Sequence, residues 1–416
     1  KPTMKIFNPA HFLRHISMPT LREFTDAHPL GQSLAIDWSL AQELLPTVVN
    51  DAVALLDASM QGAEMTQAER ELVEYKLHLW HDDLRRAHLM SNDLSIQEFQ
   101  TSCAGDREVQ EAFDSRDARE QSLWMLTFRD TAFRNAEMHI AFQAKSNGKY
   151  WKKHRIQPGL DPMQDRSKLD AFCHEVAKLY KSVGGGDGTH IEVSKRAADG
   201  SVQLTIYIEG PVTAIAHFSE NSFKRINTRI ALETALVYQP STGFIETVVK
   251  GGAKNHGAVL ELFGKHVVET AIKPEEIEKT RYKLNALRDG MMEPFEDWSA
   301  YGVEKVRLRR ARFTPMGRTG ISFQVEAPSA KDQDDAIRLA LTGLKVHHSF
   351  ESEYNMSSAS VIVYTLATES RKAGHFSFDI SATGSSTIKN LSDKNQPTAL
   401  AVLRSLNVIE AEEVAA

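Results

Sequence analysis

The sequence predicts an α+β protein: a helical N-terminal domain, then a mixed region of mainly antiparallel hairpins with packed helices. Three observations support this prediction. Apolar residues have helical spacing before about residue 145, strand-like alternation begins at 189, and glycine-rich turns separate the later elements. We expect an all-helical domain at 4–145, a linker with a basic turn and one helix at 146–188, and α+β domains at 189–290 and 291–416.

Length and composition narrow the class of protein. A chain of 416 residues is too long for one ordinary core, and 42% hydrophobic with 25% charged residues is typical of soluble globular proteins. No apolar run approaches the roughly 18 residues that span a bilayer, so no membrane partner is expected. The start lacks an apolar signal region, and two cysteines provide no disulfide framework, which favours the cytoplasm.

The N-terminal elements follow from caps and spacing. Residues 36–60 are apolar and periodic, and Pro46 is expected to end or kink a helix there. Residues 66–69 and 95–98 both have the pattern of a capping box. Apolar positions across 123–140 predict one more helix, which runs to the first basic segment.

Strands and helices are mixed in the later part. Asp199-Gly200 predicts a hairpin between 191–193 and 202–208, and a turn at 240–243 predicts a second between 229–238 and 244–250. Further strands are expected at 303–313, 320–327, 359–367 and 374–381. Further helices are expected at 167–181, 258–270, 274–290, 332–343 and 396–406.

The first basic segment, residues 145–155, stands out because the whole chain has a formal net charge of -6. Its candidate nucleic-acid contacts are Lys149, Tyr150, Trp151, Lys152, Lys153 and Arg155. We expect the cations to contact phosphates and the aromatic rings to stack on bases. The alternative is a solvated turn in which Trp151 fills the edge of a core.

The second basic segment lies on the strand expected at 303–313. Strand alternation places Lys305, Arg307 and Arg309 on one face. Arg310 and Arg312 then extend the opposite row, which begins with Val306 and Leu308. These arginines could contact phosphates, or acids such as Glu351 and Glu353 on a neighbouring strand could neutralise them.

The third candidate is the loop at 250–257, with Lys250 and Lys254 as its cations. It follows an expected strand and precedes an expected helix, an order that points helix N-terminal amides at an anion. The spacing is not that of a Walker loop, and a flexible helix-entry loop is the alternative. The glycine run at 184–188 has the reverse order.

Catalytic patterns are weaker. A helical set could hold a metal or simply form i,i+4 pairs on a solvated face: Glu71, Glu74, His78, His81 and Asp82. Glu192 and Lys195 resemble a nuclease pair, but regular strand alternation places them on opposite faces. We therefore expect no metal and no cofactor, and the balance is against an enzyme.

The sequence thus favours a non-catalytic cytoplasmic binding or adaptor protein, with nucleic acid as the leading ligand. The layout resembles that of uncharacterised bacterial proteins encoded beside mobile-element and phage-defence genes. That resemblance implies an accessory subunit of a multi-protein system. The alternatives are a metal-dependent hydrolase or nuclease, and a structural subunit that binds a protein partner.

Overall fold

A computed structural model describes residues 7–60, 65–146, 148, 150–162, 165–219, 222–277, 281–288, 298–316, 321–327, 337, 354–367, 373–392 and 394–409. Its α-helices are α1 Pro9–Leu13, α2 Met18–Ala27, α3 Leu45–Ser59, α4 Gln67–Leu89, α5 Asp93–Ser102, α6 Arg107–Asp114, α7 Ala118–Phe128, α8 Asp130–Lys145, α9 Arg166–Lys178, α10 Gly252–His266 and α11 Asn395–Ser405. Its strands are β1 Trp151–Arg155, β2 Thr189–Lys195, β3 Val202–Ile208, β4 Val212–Ser219, β5 Ser222–Arg229, β6 Leu232–Gln239, β7 Phe244–Val248, β8 Glu275–Ile277, β9 Val303–Pro315, β10 Phe323–Glu326, β11 Tyr354–Thr365 and β12 Gly374–Ser381.

The predicted α+β class is confirmed, with helices first and antiparallel strand pairs after them. The chain forms two compact units. Unit 1 comprises Lys1–Ala141 and Gln164–Glu233, and unit 2 comprises Phe142–Met163 and Thr234–Ala416. The division into four segments that is expected from the sequence stays a prediction. Among the described residues, no helix is both long enough and apolar enough to cross a bilayer.

The helices of unit 1 surround one apolar core, which includes Leu21, Phe24, Trp80, Leu84 and Phe99. The capping box at Thr66 is confirmed, because its hydroxyl accepts from the Glu69 amide and the Glu69 carboxylate accepts in return.

Three corrections concern helix ends. Pro46 does not end or kink a helix; it lies in the first turn of α3, where a missing amide proton costs nothing. The capping box expected at 95–98 is wrong, because Asn92 caps α5 and the buried Glu98 binds Arg196 instead, at 2.8 Å. The helix expected across 123–140 is two helices, α7 and α8, separated at Arg129.

The strands of unit 1 form two hairpins. The predicted pairing of β2 with β3 is confirmed, and α9 packs against both strands. The second hairpin, β4 with β5, is an antiparallel two-stranded ribbon. Arg196 joins the first hairpin to α5 through its ion pair with Glu98.

Unit 2 contains two antiparallel sheets. Strands β6, β7, β1 and β8 are neighbours in that order, and α10 packs on one face, where Phe263 lies 6.0 Å from the Tyr238 ring. The other sheet has the order β10-β9-β11-β12 and shares its core with α11. Strands expected near 303–313, 320–327, 359–367 and 374–381 are confirmed, and so is the helix at 396–406.

The helix expected at 274–290 is wrong. Within the described part of this range, Glu275–Ile277 form β8 and Leu284–Leu287 form a short 3-10 turn. The register places Glu276 opposite His154 and Glu275 opposite Arg155. Pairing with a basic strand therefore outweighs the local helix signal of Pro274 and the acidic residues after it. The helix expected at 332–343 lies outside the described residues, apart from Ile337.

Candidate functional site

The first basic segment is a strand rather than a turn. Strand β1 lies between β7 and β8, so alternation sends its side chains to opposite faces of the sheet. Lys149 lies outside the described residues, and Tyr150 precedes the strand with 40% of its surface exposed. The candidates of this segment consequently do not form one surface.

The face toward α10 carries Lys152 and His154. Lys152 forms an ion pair with Glu276, and His154 is directly opposite Glu276 in the register. The hydrogen bond from Lys152 lowers the pKa of Glu276, whereas burial lowers the pKa of His154. Thr247, opposite Lys152 on β7, lies 2.7 Å from the buried ring of His256.

Burial is also the main cause that lowers the pKa of His256, to about 4, and the positive charge of Lys152 adds to it. This imidazole is therefore neutral at pH 7. Its Nδ1 is held at Thr247, which fixes the ring between α10 and the sheet. The α10 face thus combines two buried imidazoles with a lysine–glutamate pair.

The opposite face of β1 carries Trp151, Lys153 and Arg155. Trp151 is 5% exposed, and its indole N–H donates to Glu246 Oε2 at 2.8 Å. Glu246 also pairs with Lys389 at 3.3 Å and with Lys153 at 3.8 Å. The expectation that Trp151 offers its ring to a base does not fit this burial. Phosphate contacts at Lys152, Lys153 and Arg155 stay a prediction.

Two cations on this face, Lys153 and Arg155, contact an aromatic ring. The Lys153 ammonium lies 4.0 Å from the Phe244 ring centroid, and the Arg155 guanidinium lies 5.1 Å from it. Burial lowers the pKa of Lys153, although Glu246 opposes that shift. These contacts lie within unit 2, and they are the kind that stabilise a fold.

The second basic segment is β9, as expected, but its faces differ from the prediction. Leu308 pairs with Val361 and Arg310 pairs with Ser360, so Arg309 is an extra residue in a β-bulge. The side chains that face the core are those of Val306, Leu308, Ala311 and Phe313. The two-residue alternation therefore shifts by one residue at the bulge. Arg310 and Arg312 therefore lie on the face opposite Leu308, rather than in its row.

Arg310 and Arg312 of β9 have polar partners in unit 2. Arg307 is only 1% exposed, Arg310 binds Asp379 at 3.1 Å, and Arg312 donates to the Ser322 hydroxyl. The acid that pairs with Arg310 comes from β12. Glu351 and Glu353, which we considered from the sequence, lie outside the described residues.

The third candidate loop has the expected strand–loop–helix order, but α10 begins at Gly252 rather than near 258. Gly251 and Gly252 both have positive φ, of 104° and 79°, which favours glycine at these positions. The first turn of α10 contains no acid and has no side-chain cap. Lys250 and Lys254 are exposed beside it.

A cavity of about 910 Å³ lies within unit 2, between α10, the β1–β8 face and residues 269–274. Lys152, from the first basic segment, lines it together with Ala253, from the third. His154 and Glu276 line the same end. The structure thus brings the first basic segment and the 250–257 loop together at a cavity that no sequence motif indicated.

The catalytic candidates do not converge. No group of three or more histidine, cysteine, aspartate or glutamate side chains in the described ranges is placed to hold a metal ion. Asp82 of α4 pairs with Arg85 at 2.6 Å, and Glu192 accepts from the Tyr207 hydroxyl at 3.1 Å. Burial raises the pKa of Cys173 to about 12, so its thiol is a poor nucleophile.

The β4–β5 ribbon was missed from the sequence as a functional element. Its register pairs Phe218 with Phe223, Ala216 with Arg225, and Val212 with Arg229. Phe218 is 75% exposed and Phe223 is 57% exposed, and their ring centroids are 5.7 Å apart. The signal that could have revealed it is an apolar–basic alternation on strands with no acid in either.

No protein-family model matches this chain, and no curated relative shows significant sequence similarity to it.

Proposed function

We propose that this protein binds single-stranded nucleic acid through the β4–β5 ribbon, as a binding or adaptor protein rather than an enzyme. The observation that carries the proposal is the exposed pair Phe218 and Phe223, with Arg225 two residues along the same face. Exposed rings beside guanidinium groups are the chemistry that contacts unstacked bases and their phosphates.

The charge of the ribbon supports an anionic partner. Strands β4 and β5 include Lys224, Arg225 and Arg229 and contain no aspartate or glutamate. Arg229 pairs with Glu209 at 3.0 Å, whereas Arg225 forms no ion pair with any residue that the structure describes. The Arg225 guanidinium instead lies 5.9 Å from the Phe223 ring. Arg225 is therefore the cation we assign to a phosphate.

The apolar side chains of the ribbon define the competing partner. Val212, Ile215 and Ile226 are also exposed, and an apolar protein surface could cover them. Nucleic acid is favoured because every charge on the two strands is positive and both aromatic rings are exposed. Apolar association of the ribbon with a second copy of the chain or with another protein would not require nucleic acid, and the rings rather than the phosphate contacts would carry it.

The test is fluorescence anisotropy of the full chain with labelled oligothymidylate, oligouridylate and a DNA duplex. We expect the two single strands to bind more tightly than the duplex. Because stacking contributes about 1–3 kcal/mol for each ring, Phe218→Ala with Phe223→Ala should weaken binding by about 30-fold or more. The DNA and RNA probes separate the two sources of single strands.

The matched control is Leu55→Ala, since Leu55 of α3 is exposed to a similar extent, at 71%, and lies outside the ribbon. It should leave the affinity unchanged. Absence of binding to either single strand at low salt would overturn the proposal. A change of oligomeric state in the double phenylalanine variant, with no nucleic-acid binding, would assign the ribbon to self-association.

A further inference from the structure

We infer that unit 2 binds a small phosphomonoester with a hydroxyl-bearing body, in the cavity beside α10. The proposal concerns a site separate from the ribbon, and it does not rest on nucleic-acid binding. It depends on the two ends of the cavity, which have different chemistry. Contacts within unit 2 establish which residues lie at each end.

The first end is built for an anion. Ala253 belongs to the first turn of α10, whose amides have neither a side-chain cap nor an acid beside them. Lys152 is close to this turn, because its register partner Thr247 contacts His256, five residues into the helix. A phosphate at this position would meet backbone amides from one side and the Lys152 ammonium from the other.

His154 is the independent observation at this end. The residue is 7% exposed, lines the cavity, and has a buried Nδ1 atom with no hydrogen-bond partner among the described residues. A buried polar atom without a partner is unfavourable unless a ligand or water satisfies it. Glu276 also lies at this end, and its carboxylate pairs with Lys152. Because an ammonium group has three donors, Lys152 can donate to a phosphate as well.

The second end is suited to hydroxyl groups. The cavity follows α10 from Ala253 through Gly257 and Glu261 to Lys265, roughly 18 Å at 1.5 Å per residue. Gly264 approaches Thr270 and Ile272 closely, which places residues 269–272 at the C-terminal half of the helix. Glu261 and Glu269 are acceptors for ligand hydroxyls, Lys265 is a donor at the same end, and Leu260 and Ile272 provide apolar contact.

The volume agrees with this assignment. A cavity of about 910 Å³ lies within the range of roughly 300–1,000 Å³ that encloses small organic ligands. Inorganic phosphate alone would fill only the first end. A sugar phosphate or a nucleoside monophosphate has both the anionic group and the hydroxyl-bearing body that the two ends require.

Calorimetry on the full chain tests the site with four probes: glucose 6-phosphate, adenosine monophosphate, inorganic phosphate and glucose. At least one organic phosphate should bind more tightly than inorganic phosphate, and glucose should not bind. Lys152→Gln should weaken that binding about tenfold or more, because a charge-assisted contact is lost. Lys153→Gln is the matched control, since the adjacent lysine faces the other side of the sheet.

Histidine NMR gives the second readout. A dianion next to His154 favours the protonated imidazole, so the organic phosphate should raise the pKa of His154, whose charged neighbours are Lys152 and Glu276 and which also lies near the neutral His256. His154→Gln should weaken binding, and if that variant misfolds, the lysine pair carries the test alone. Equal losses in Lys152→Gln and Lys153→Gln, glucose binding as tight as glucose 6-phosphate, or no binding of either organic phosphate would overturn the inference.

Discussion

Strand β1 and the β4–β5 ribbon both have cations beside aromatic rings, but their surroundings differ. Acidic side chains contact β1, whereas the rings of the ribbon are exposed. Around β1, the Glu246 carboxylate accepts a hydrogen bond from the Trp151 indole and forms ion pairs with Lys153 and Lys389. Glu276 forms an ion pair with Lys152. In the ribbon, the exposed rings of Phe218 and Phe223 contact each other, and Arg225 has no acidic partner among the described residues. The comparison teaches that a basic–aromatic pattern stays exposed only at positions that acidic side chains do not cover, as at Phe218, Phe223 and Arg225.

The largest expected difference between the two regions is in stability. Trp151→Ala should lower the free energy of unfolding by about 3–5 kcal/mol, because it leaves a cavity and removes the donor to Glu246. Phe218→Ala should cost less than about 1 kcal/mol, since the ring is 75% exposed and its aromatic contact is with its cross-strand partner Phe223. Urea denaturation of both variants measures the contrast. Similar losses would show that the ribbon is part of the core.

The second prediction concerns the pH dependence of β1 and its neighbours. His256 has a folded-state pKa of about 4, whereas an unfolded histidine titrates near 6.5. Between these values the unfolded chain binds the extra proton, so stability is complete above about pH 6.5 and falls as pH decreases toward 4. The loss should be on the order of 2–3 kcal/mol.

His256→Gln tests that origin, because glutamine keeps a hydrogen-bonding group near Thr247 but does not titrate. The slope of unfolding free energy against pH between 6.5 and 4 should decrease in the variant. Ribbon variants should leave the slope as it is. An unchanged slope in His256→Gln would assign the acid sensitivity to other groups.

The third prediction concerns the acid at the centre of the β1 cluster. Glu246→Gln keeps an acceptor for the Trp151 indole but leaves Lys153 and Lys389 without their carboxylate. Because Glu246 is largely buried, we expect a loss of about 1–3 kcal/mol. The control is Glu261→Gln on the exposed part of α10, which should change stability by less than about 0.5 kcal/mol. Thermal denaturation compares them.

The sequence predicts most of the fold because its signals are local. The Thr66 capping box, the Asp199-Gly200 turn and the alternation across Val202–Ile208 each depend on residues that are close in the chain. Where long-range pairing decides the structure, local signals fail. β8 is a strand because β1 lies beside it, although Pro274 and the acidic residues after it are typical of a helix start.

The candidate sites are less predictable for the same reason. Lys152 and Ala253 are about a hundred residues apart, and only the antiparallel pairing of β1 with β7 brings the strand to the start of α10. The bulge at Arg309, which moves Arg310 and Arg312 to the other face, has no signature in the sequence of β9. The basic residues could thus be identified, but neither their acidic partners nor their faces.

The smallest predicted effect concerns a single charge of the ribbon, the Arg225 guanidinium. If Arg225 contacts a phosphate, the logarithm of the binding constant for a single strand should fall as the logarithm of the salt concentration rises. This contact should contribute about 0.7 to the magnitude of that slope. Arg225→Gln should reduce the slope by about that amount and weaken binding several-fold at low salt, without changing stability. Arg14→Gln, at an exposed arginine outside the ribbon, is the control. Anisotropy titrations over a series of salt concentrations give both slopes. An equal slope for wild type and Arg225→Gln would place the phosphate contacts elsewhere, first at the exposed Lys250 and Lys254 and then at Lys153 and Arg155.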